Sequence, residues 1–171
     1  MIADYEGDIS NLFNVNVEGE VPVLATRNMV MFPGVLCPIL IGRDNSLKLI
    51  ETVKKSPNTT FAIFCQKNSE TEEPQQEDLY DYGVYARLVR VLEIPGHGQN
   101  VTAIVQSLGR CKLDKITKKA PYLQGLTHLE PEILPKEGDS EYHAAAEDLR
   151  KQTIEYIKEN DDIADEAQFA L

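Results

Sequence analysis

Apolar residues cluster in short runs along this chain, with turn residues between them. Val21–Ala25 and Leu36–Ile41 are two such runs, and each has the length and β-branched content of a strand. Between them lies Met29-Val30-Met31-Phe32, closed by Pro33-Gly34. Loops are usually polar because water solvates their backbone, so this apolar loop needs either a core to fill or a partner to touch. Pro38 removes a backbone donor and places the second strand at a sheet edge or bulge. Leu47, Ile50 and Val53 then recur at helical spacing, with Asp44 or Asn45 expected as N-cap, Lys54-Lys55 in the last turn and Ser56-Pro57-Asn58 as the stop.

Thr60–Gln66 is apolar on both parities, which predicts a strand covered on both faces. Lys67–Asp78 reads as an acidic excursion into solvent. Tyr80–Ile94 is the longest strand signal. Val84, Ala86 and Leu88 alternate until the phase breaks and Val91 takes over, as a bulge or barrel corner requires. Pro95–Asn100 reads as a hairpin turn, after which Val101, Ala103 and Val105 share a face. Gly109 marks a second turn or bulge. Beyond it Cys111 and Leu113 point in, and Arg110, Lys112 and Asp114 point out. Tyr122–Glu130 is a weaker strand.

The expected fold is therefore α+β but mainly β: a small, closed or nearly closed barrel of about six strands with one short helix over residues 21–134. Residues 1–20 read as a flexible arm, with an edge pairing of Asn11–Val17 as an option. Residues 135–171 read as the start of a helical extension. Asp139 or Ser140 is its cap, and Tyr142, Ala146, Leu149, Thr153 and Tyr156 form an amphipathic face. Asp161-Asp162 is expected to break or kink this helix. The apolar positions from Ile163 to Leu171 start another face, which reads as a segment cut from something longer.

Charge narrows the function. The net charge is −11, but Glu70–Asp78 holds five acids and residues 139–171 hold ten acids against three bases, leaving the rest at +1. A neutral body argues against general nucleic-acid binding, which needs a positive stripe. The cluster Arg110, Lys112, Lys115, Lys118 and Lys119 reads as a solvated strand face before it reads as an RNA strip, because no aromatic side chains interleave with it. No run is long enough to span a membrane and no secretory signal leads the chain, so a cytoplasmic location is expected. Cys37, Cys65 and Cys111 are widely spaced in apolar segments and read as buried free thiols.

Catalytic and metal motifs are missing. There is no phosphate-cradling GxxxxGK[ST], no GxSxG, no HExxH and no paired CxxC. Ser46 and Lys48 lie two apart on a helix and do not face each other. His97, His128 and His143 fall in a turn, a strand and a helix, with no ligand spacing between them. No catalytic, cofactor-binding or metal residue is assigned. The candidate contact residues are Met29, Val30, Met31, Phe32 and Pro33. They read as a barrel plug or as an exposed surface whose methionines adapt to apolar partners.

Several of these stretches carry a family likeness. Val21–Arg43, with its Pro-Val-Leu strand, Phe-Pro-Gly turn and Pro-Ile-Leu-Ile-Gly-Arg, resembles the opening of the Lon protease N-terminal domain. Phe61–Lys67, Asp78-Leu79-Tyr80 with Gly83-Val84, and Val105–Arg110 follow in the family's order, so the likeness covers about residues 21–116. Ala25-Thr26 and Ser107 depart from the family's usual Pro-Leu and Gly, and neither is expected to disturb the barrel.

The resemblance implies a PUA-like pseudo-barrel followed by helices, upstream of an ATPase module and a Ser-Lys protease module. It implies unfolded or degron-bearing protein substrates, hexameric association with other Lon subunits, and ATP and magnesium bound only in the full-length enzyme. This chain would bind substrate without cutting it. The alternatives are a stand-alone adaptor with the same domain and a PUA-type RNA-binding module.

Overall fold

The computed structural model describes residues 17–160 apart from 18, 57, 94–99, 132, 134 and 137. The expectations for residues 11–16, for most of the turn after Ile94 and for the segment from Asp161 onward lie outside the described residues. Six strands form one sheet: β1 (Glu20–Thr26), β2 (Leu36–Ile41), β3 (Thr60–Cys65), β4 (Tyr82–Glu93), β5 (Val101–Lys118) and β6 (Gln124–Leu129). Helix α1 (Asp44–Lys55) crosses between β2 and β3. The strand order is β2-β5-β4-β3-β1-β6, and β6 also pairs with β5. The sheet therefore closes on itself without becoming a regular barrel. The long β5 makes the closure possible: its first half pairs with β2 and its second half with β6.

The phase break in β4 is real. Its register against β5 shifts between Val84 and Ala86 and again between Leu88 and Arg90. Each shift adds a residue to one strand and bends it, which a small closed sheet needs. Gly109 lies inside continuous β5 at the first shift and is not a turn. β3 is buried on both faces as its composition predicts. Phe61 and Ile63 join one apolar cluster with Leu24, Ile39, Ile41 and Val105, while Ala62 and Phe64 join the other with Val21, Val23, Tyr85 and Cys111. A fully buried side chain of this size stabilises the fold by about 1.5–3 kcal/mol.

Helix α1 corrects the sequence reading in two places. Arg43 is its N-cap residue, without a side-chain cap bond, so neither Asp44 nor Asn45 caps it. Its inward stripe is Leu49, Ile50 and Val53, and Leu47 is only partly buried. Leu49, Ile50 and Val53 join the cluster of Leu24, Phe61 and Val84, and which neighbouring position goes fully inward is set by that packing, which spacing alone does not reveal. Cys37 likewise is only half-buried, whereas Cys65 and Cys111 are buried free thiols. Burial pushes the Cys111 pKa up to about 12, so it stays a protonated apolar filler at neutral pH.

The acidic loop is the solvent-facing excursion its composition predicts, with one addition. It is exposed, but it is stitched to the body and does not float. Lys67 N–H donates to Asp78 O at 2.8 Å and Tyr80 N–H to Cys65 O at 3.0 Å. A one-turn 3-10 helix, Gln76–Asp78, carries Gln76 to the β5 backbone, where its side chain bonds Asp114 O at 3.1 Å and Ile116 N at 3.0 Å. At the other end the Arg43 guanidinium donates to Gln66 Oε1 and to Thr71 O, and Arg27 pairs with Glu72 at 3.0 Å. Partial burial, and then the positive charge of Arg27, lower the Arg43 pKa, and Glu72 opposes them. Replacing Arg43 with Ala should cost about 1–2 kcal/mol through the lost charged bonds and should speed proteolytic nicking within 67–78. Limited proteolysis followed by mass spectrometry checks it.

Where β5 and β6 pair, His128 sits between two carboxylates, with Nδ1 2.8 Å from Asp114 and Nε2 3.2 Å from Glu130. The hydrogen bond to Asp114, helped by the charges of Asp114 and Glu130, raises the His128 pKa. A raised folded-state pKa gives stability that is complete below about pH 6.5, the unfolded imidazole value, and is lost as pH rises through the folded value. The urea midpoint of the wild-type chain relative to His128→Gln should therefore fall as pH rises above about 6.5. A difference independent of pH would contradict the pairing.

The chain divides into two compact units at Glu132/Ile133. In the second, α2 (Ser140–Glu159) begins as expected: Asp139 Oδ1 accepts from Tyr142 N at 3.0 Å. Within it, the predicted apolar face is exposed at Tyr142, Leu149 and Tyr156, and Ile157 is its buried residue.

Candidate functional site

The loop after β1 is built by three local devices. Thr26 is buried at the strand end, and its hydroxyl donates to Met29 O at 2.8 Å. Asn28 takes a positive φ of 53°, a conformation asparagine tolerates better than most residues. Gly34, with φ of 81°, turns the chain into β2. Along the run between them, exposure alternates from one residue to the next. Met29 and Met31 are partly buried against the cluster of Leu24, Ile39 and Phe61. Val30 and Phe32 are 64% and 69% exposed. The loop is thus both plug and surface, divided by parity, and Pro33 is half-buried.

Met29, Val30 and Met31 form one wall of an apolar groove of about 390 Å³. Ile63 and Cys65 of β3, with Gly83 of β4, also line it. Tyr80, just before β4, and Tyr82, its first residue, are 51% and 54% exposed and line it too. Lys112 Nζ lies 5.6 Å from the Tyr82 ring centroid, a cation–π contact that holds the ring in place. Lys67 and Asp81, of opposite charge, complete the lining, so no single sign of charge selects a ligand. Phe32 and Pro33 lie outside this lining. The groove is at the small end of the range for ligand sites and suits one or two large apolar side chains.

Gly83 has a steric reason to be glycine. A Cβ there would sit 2.2 Å from Ile63 O and 2.6 Å from Phe64 Cδ1. The close approach of β4 to β3 lowers the groove floor at this point. Tyr80, Tyr82, Ile63, Cys65 and Gly83 were not in the sequence-derived set. Their signal was weak but present: two tyrosines two positions apart at a strand entry, on a fully apolar neighbour.

A second cleft, about 490 Å³, lies at the start of α1 and mixes Arg43, Lys48 and Lys119 with Glu72 and Glu73. Its opposed charges give no field for an anionic ligand. The basic strip on β5 is also broken up: Lys118 pairs with Glu20 at 2.7 Å, and Lys112 is engaged on Tyr82. Among the described residues no His, Cys, Asp and Glu group is arranged to hold a metal. Among them, too, no helix is long and apolar enough to cross a membrane.

The fold and site define a closed, mainly β domain with an apolar groove between a loop and a strand entry. Its family follows from comparison. The family model described as the ATP-dependent protease La (LON) substrate-binding domain matches residues 20–168, and the chain belongs to that family. It is 41% identical over 144 residues to the Lon protease of Porphyromonas gingivalis, covering 84% of this chain and 17% of that protein. It is 35% identical over 164 residues to the Lon protease of Flavobacterium johnsoniae, covering 96% and 20%. The chain thus spans a fifth or less of these relatives' length.

Two solved structures share its fold. The N-terminal domain of a Mycobacterium avium complex Lon protease superposes with a TM-score of 0.64 at 20% identity, covering 82% of this chain and 69% of that one. A Lon N-terminal domain protein from Xanthomonas campestris gives 0.58 at 13% identity, covering 80% and 75%.

Proposed function

We propose that this chain is the substrate-recognition and assembly domain of an ATP-dependent Lon serine protease acting on misfolded and regulatory proteins in the cytoplasm. In this reading the domain binds protein substrate and performs no chemistry. ATP, magnesium and the peptidase groups belong to other parts of a longer, hexameric protein. The observation that carries the reading is the groove walled by Met29–Met31 and Tyr80/Tyr82, in a family described as substrate-binding.

The groove would take large apolar side chains that a folded protein hides and an unfolded or degron-bearing segment exposes. Methionine walls adapt their shape to different side chains at low cost, which favours breadth over selectivity. One side chain buried in such a groove is worth about 1.5–3 kcal/mol before the cost of association, so a single engagement is weak. Several copies in a ring would convert weak engagements into useful capture through effective concentration.

Fluorescence-anisotropy titration of the chain against labelled, reduced casein and against a stably folded protein tests the proposal. Saturable binding of casein alone is expected. Occupied groove should also protect Cys65 from thiol alkylation in a Cys37→Ser background. Equal binding of the folded protein, or unchanged Cys65 reactivity at saturating casein, would refute the reading.

A further inference from the structure

Ser107 is fully buried in the middle of β5, yet its polar groups serve a loop more than seventy residues earlier. Its hydroxyl lies 2.6 Å from Phe32 O and 2.9 Å from Val35 O, and it accepts from Val35 N–H at 2.8 Å. Its backbone adds two more bonds: Ser107 N–H donates to Val35 O at 2.9 Å, and Gly34 N–H donates to Ser107 O at 3.3 Å. The hydroxyl has one proton, which the shorter distance directs to Phe32 O. The Phe32–Val35 turn thus has its carbonyl, its amide and its glycine bonded to one residue.

Thr26 performs the same service at the other end of the loop through Met29 O at 2.8 Å. Between these two clamps lie Val30 and Met31, whose side chains point to opposite sides. Sliding the loop by one residue would exchange the two sets, putting Val30 and Phe32 inward and exposing Met29 and Met31. Both settings bury apolar atoms, so packing alone discriminates weakly between them. The Ser107 hydroxyl discriminates strongly, because only one setting presents Phe32 O and Val35 N–H to it.

We propose that Ser107 is a positioning residue that locks the Met29–Phe32 loop in the register that builds the groove and so sets its affinity for apolar segments. The affinity part of this proposal rests on the substrate-binding reading above, and the register part does not. Ser107 touches no groove ligand itself.

The test uses the protein's methionines. The chain has three, Met1, Met29 and Met31, so 13C-methyl labelling yields two loop reporters and one from the N-terminus. In Ser107→Ala the Met29 and Met31 methyl signals should shift and broaden, and casein affinity should fall about fivefold, the size expected for a lost buried hydrogen bond. Leu113→Ala, which destabilises β5 within the other apolar cluster, is the control and should leave both readouts unchanged while the chain is folded.

If Ser107→Ala leaves the methyl signals and the affinity as they were, or if Leu113→Ala reproduces both effects, the proposal is overturned. If the methyl signals move while neither Ser107→Ala nor Val30→Ser alters casein affinity, the groove reading fails and the register lock stands. If Val30→Ser weakens capture but Ser107→Ala changes nothing, the lock fails and the groove reading stands.

Discussion

Replacing Val30 and Tyr80 together by serine should weaken capture of an unfolded polypeptide by about ten- to a hundredfold. Both side chains line the groove from opposite walls, and both are more than half exposed. Each therefore has apolar surface left to bury against a ligand. Losing roughly half of a full side-chain burial twice over comes to about 1.5–3 kcal/mol, and 1.4 kcal/mol is a factor of ten in affinity. Because neither side chain belongs to the core, the urea midpoint should stay within about 0.5 kcal/mol of wild type, as for other surface changes. Leu40→Ser is the matched control. Leu40 is 66% exposed on β2 and lies outside the groove lining, so its replacement should leave affinity unchanged. Casein titrations of the three proteins separate groove binding from general stickiness of exposed apolar residues.

Gly83→Ala should act through stability. The added methyl would stand 2.2 Å from a backbone carbonyl and 2.6 Å from the ring of fully buried Phe64. Neither neighbour is the loose end of a flexible side chain, so β4 must move away from β3 or Phe64 must leave its rotamer. Overpacking of this kind usually costs about 1–3 kcal/mol, and the double clash puts the expectation at about 3 kcal/mol or above. In thermal unfolding followed by circular dichroism, that corresponds to a melting point lowered by roughly 10 °C. The same displacement would lift the groove floor, so casein affinity of the folded fraction should fall too. A variant that melts with wild type would show that β3 and β4 are not as close as described.

The strands of this protein were largely readable from local pattern, because each carries its own evidence. Two-sided burial of β3 follows from five consecutive apolar residues, and the β4 bulge follows from Val91 taking over after Leu88. Helix α1 was readable in extent and at Ile50 and Val53, but not in its cap or in the choice of Leu49 over Leu47, which tertiary packing decides. The acidic loop was readable in its exposure but not in its anchoring. Its composition is that of a solvated excursion, yet Gln76 and Arg43 hold it through bonds to distant backbone and to Gln66 that no local pattern announces.

The candidate site was half readable. An apolar run before Pro-Gly marks Met29–Phe32 as unusual, and strand-like alternation divides it into inward and outward sets. The facing wall left only a weak local signal in its paired tyrosines, and its place opposite the loop could not be read, since Tyr80 and Tyr82 are about fifty residues away in sequence. Ser107 stood out as a departure from the family pattern that was not expected to disturb the barrel. It leaves the closed sheet intact, as expected, but its hydroxyl bonds the loop, a role visible only once β5 and the Phe32–Val35 turn are side by side.

An unfolded segment is expected to sit in the groove between Met29–Met31 and Tyr80/Tyr82. Site-specific photo-crosslinking locates it, with a photoreactive amino acid at position 30, 80 or 40 in otherwise wild-type chains mixed with reduced casein. Crosslinks to casein from positions 30 and 80, absent from position 40 and competed by an apolar peptide, are the predicted result. Efficient crosslinking from position 40 with none from 30 or 80 would contradict the account and move the binding surface to the outer face of β2.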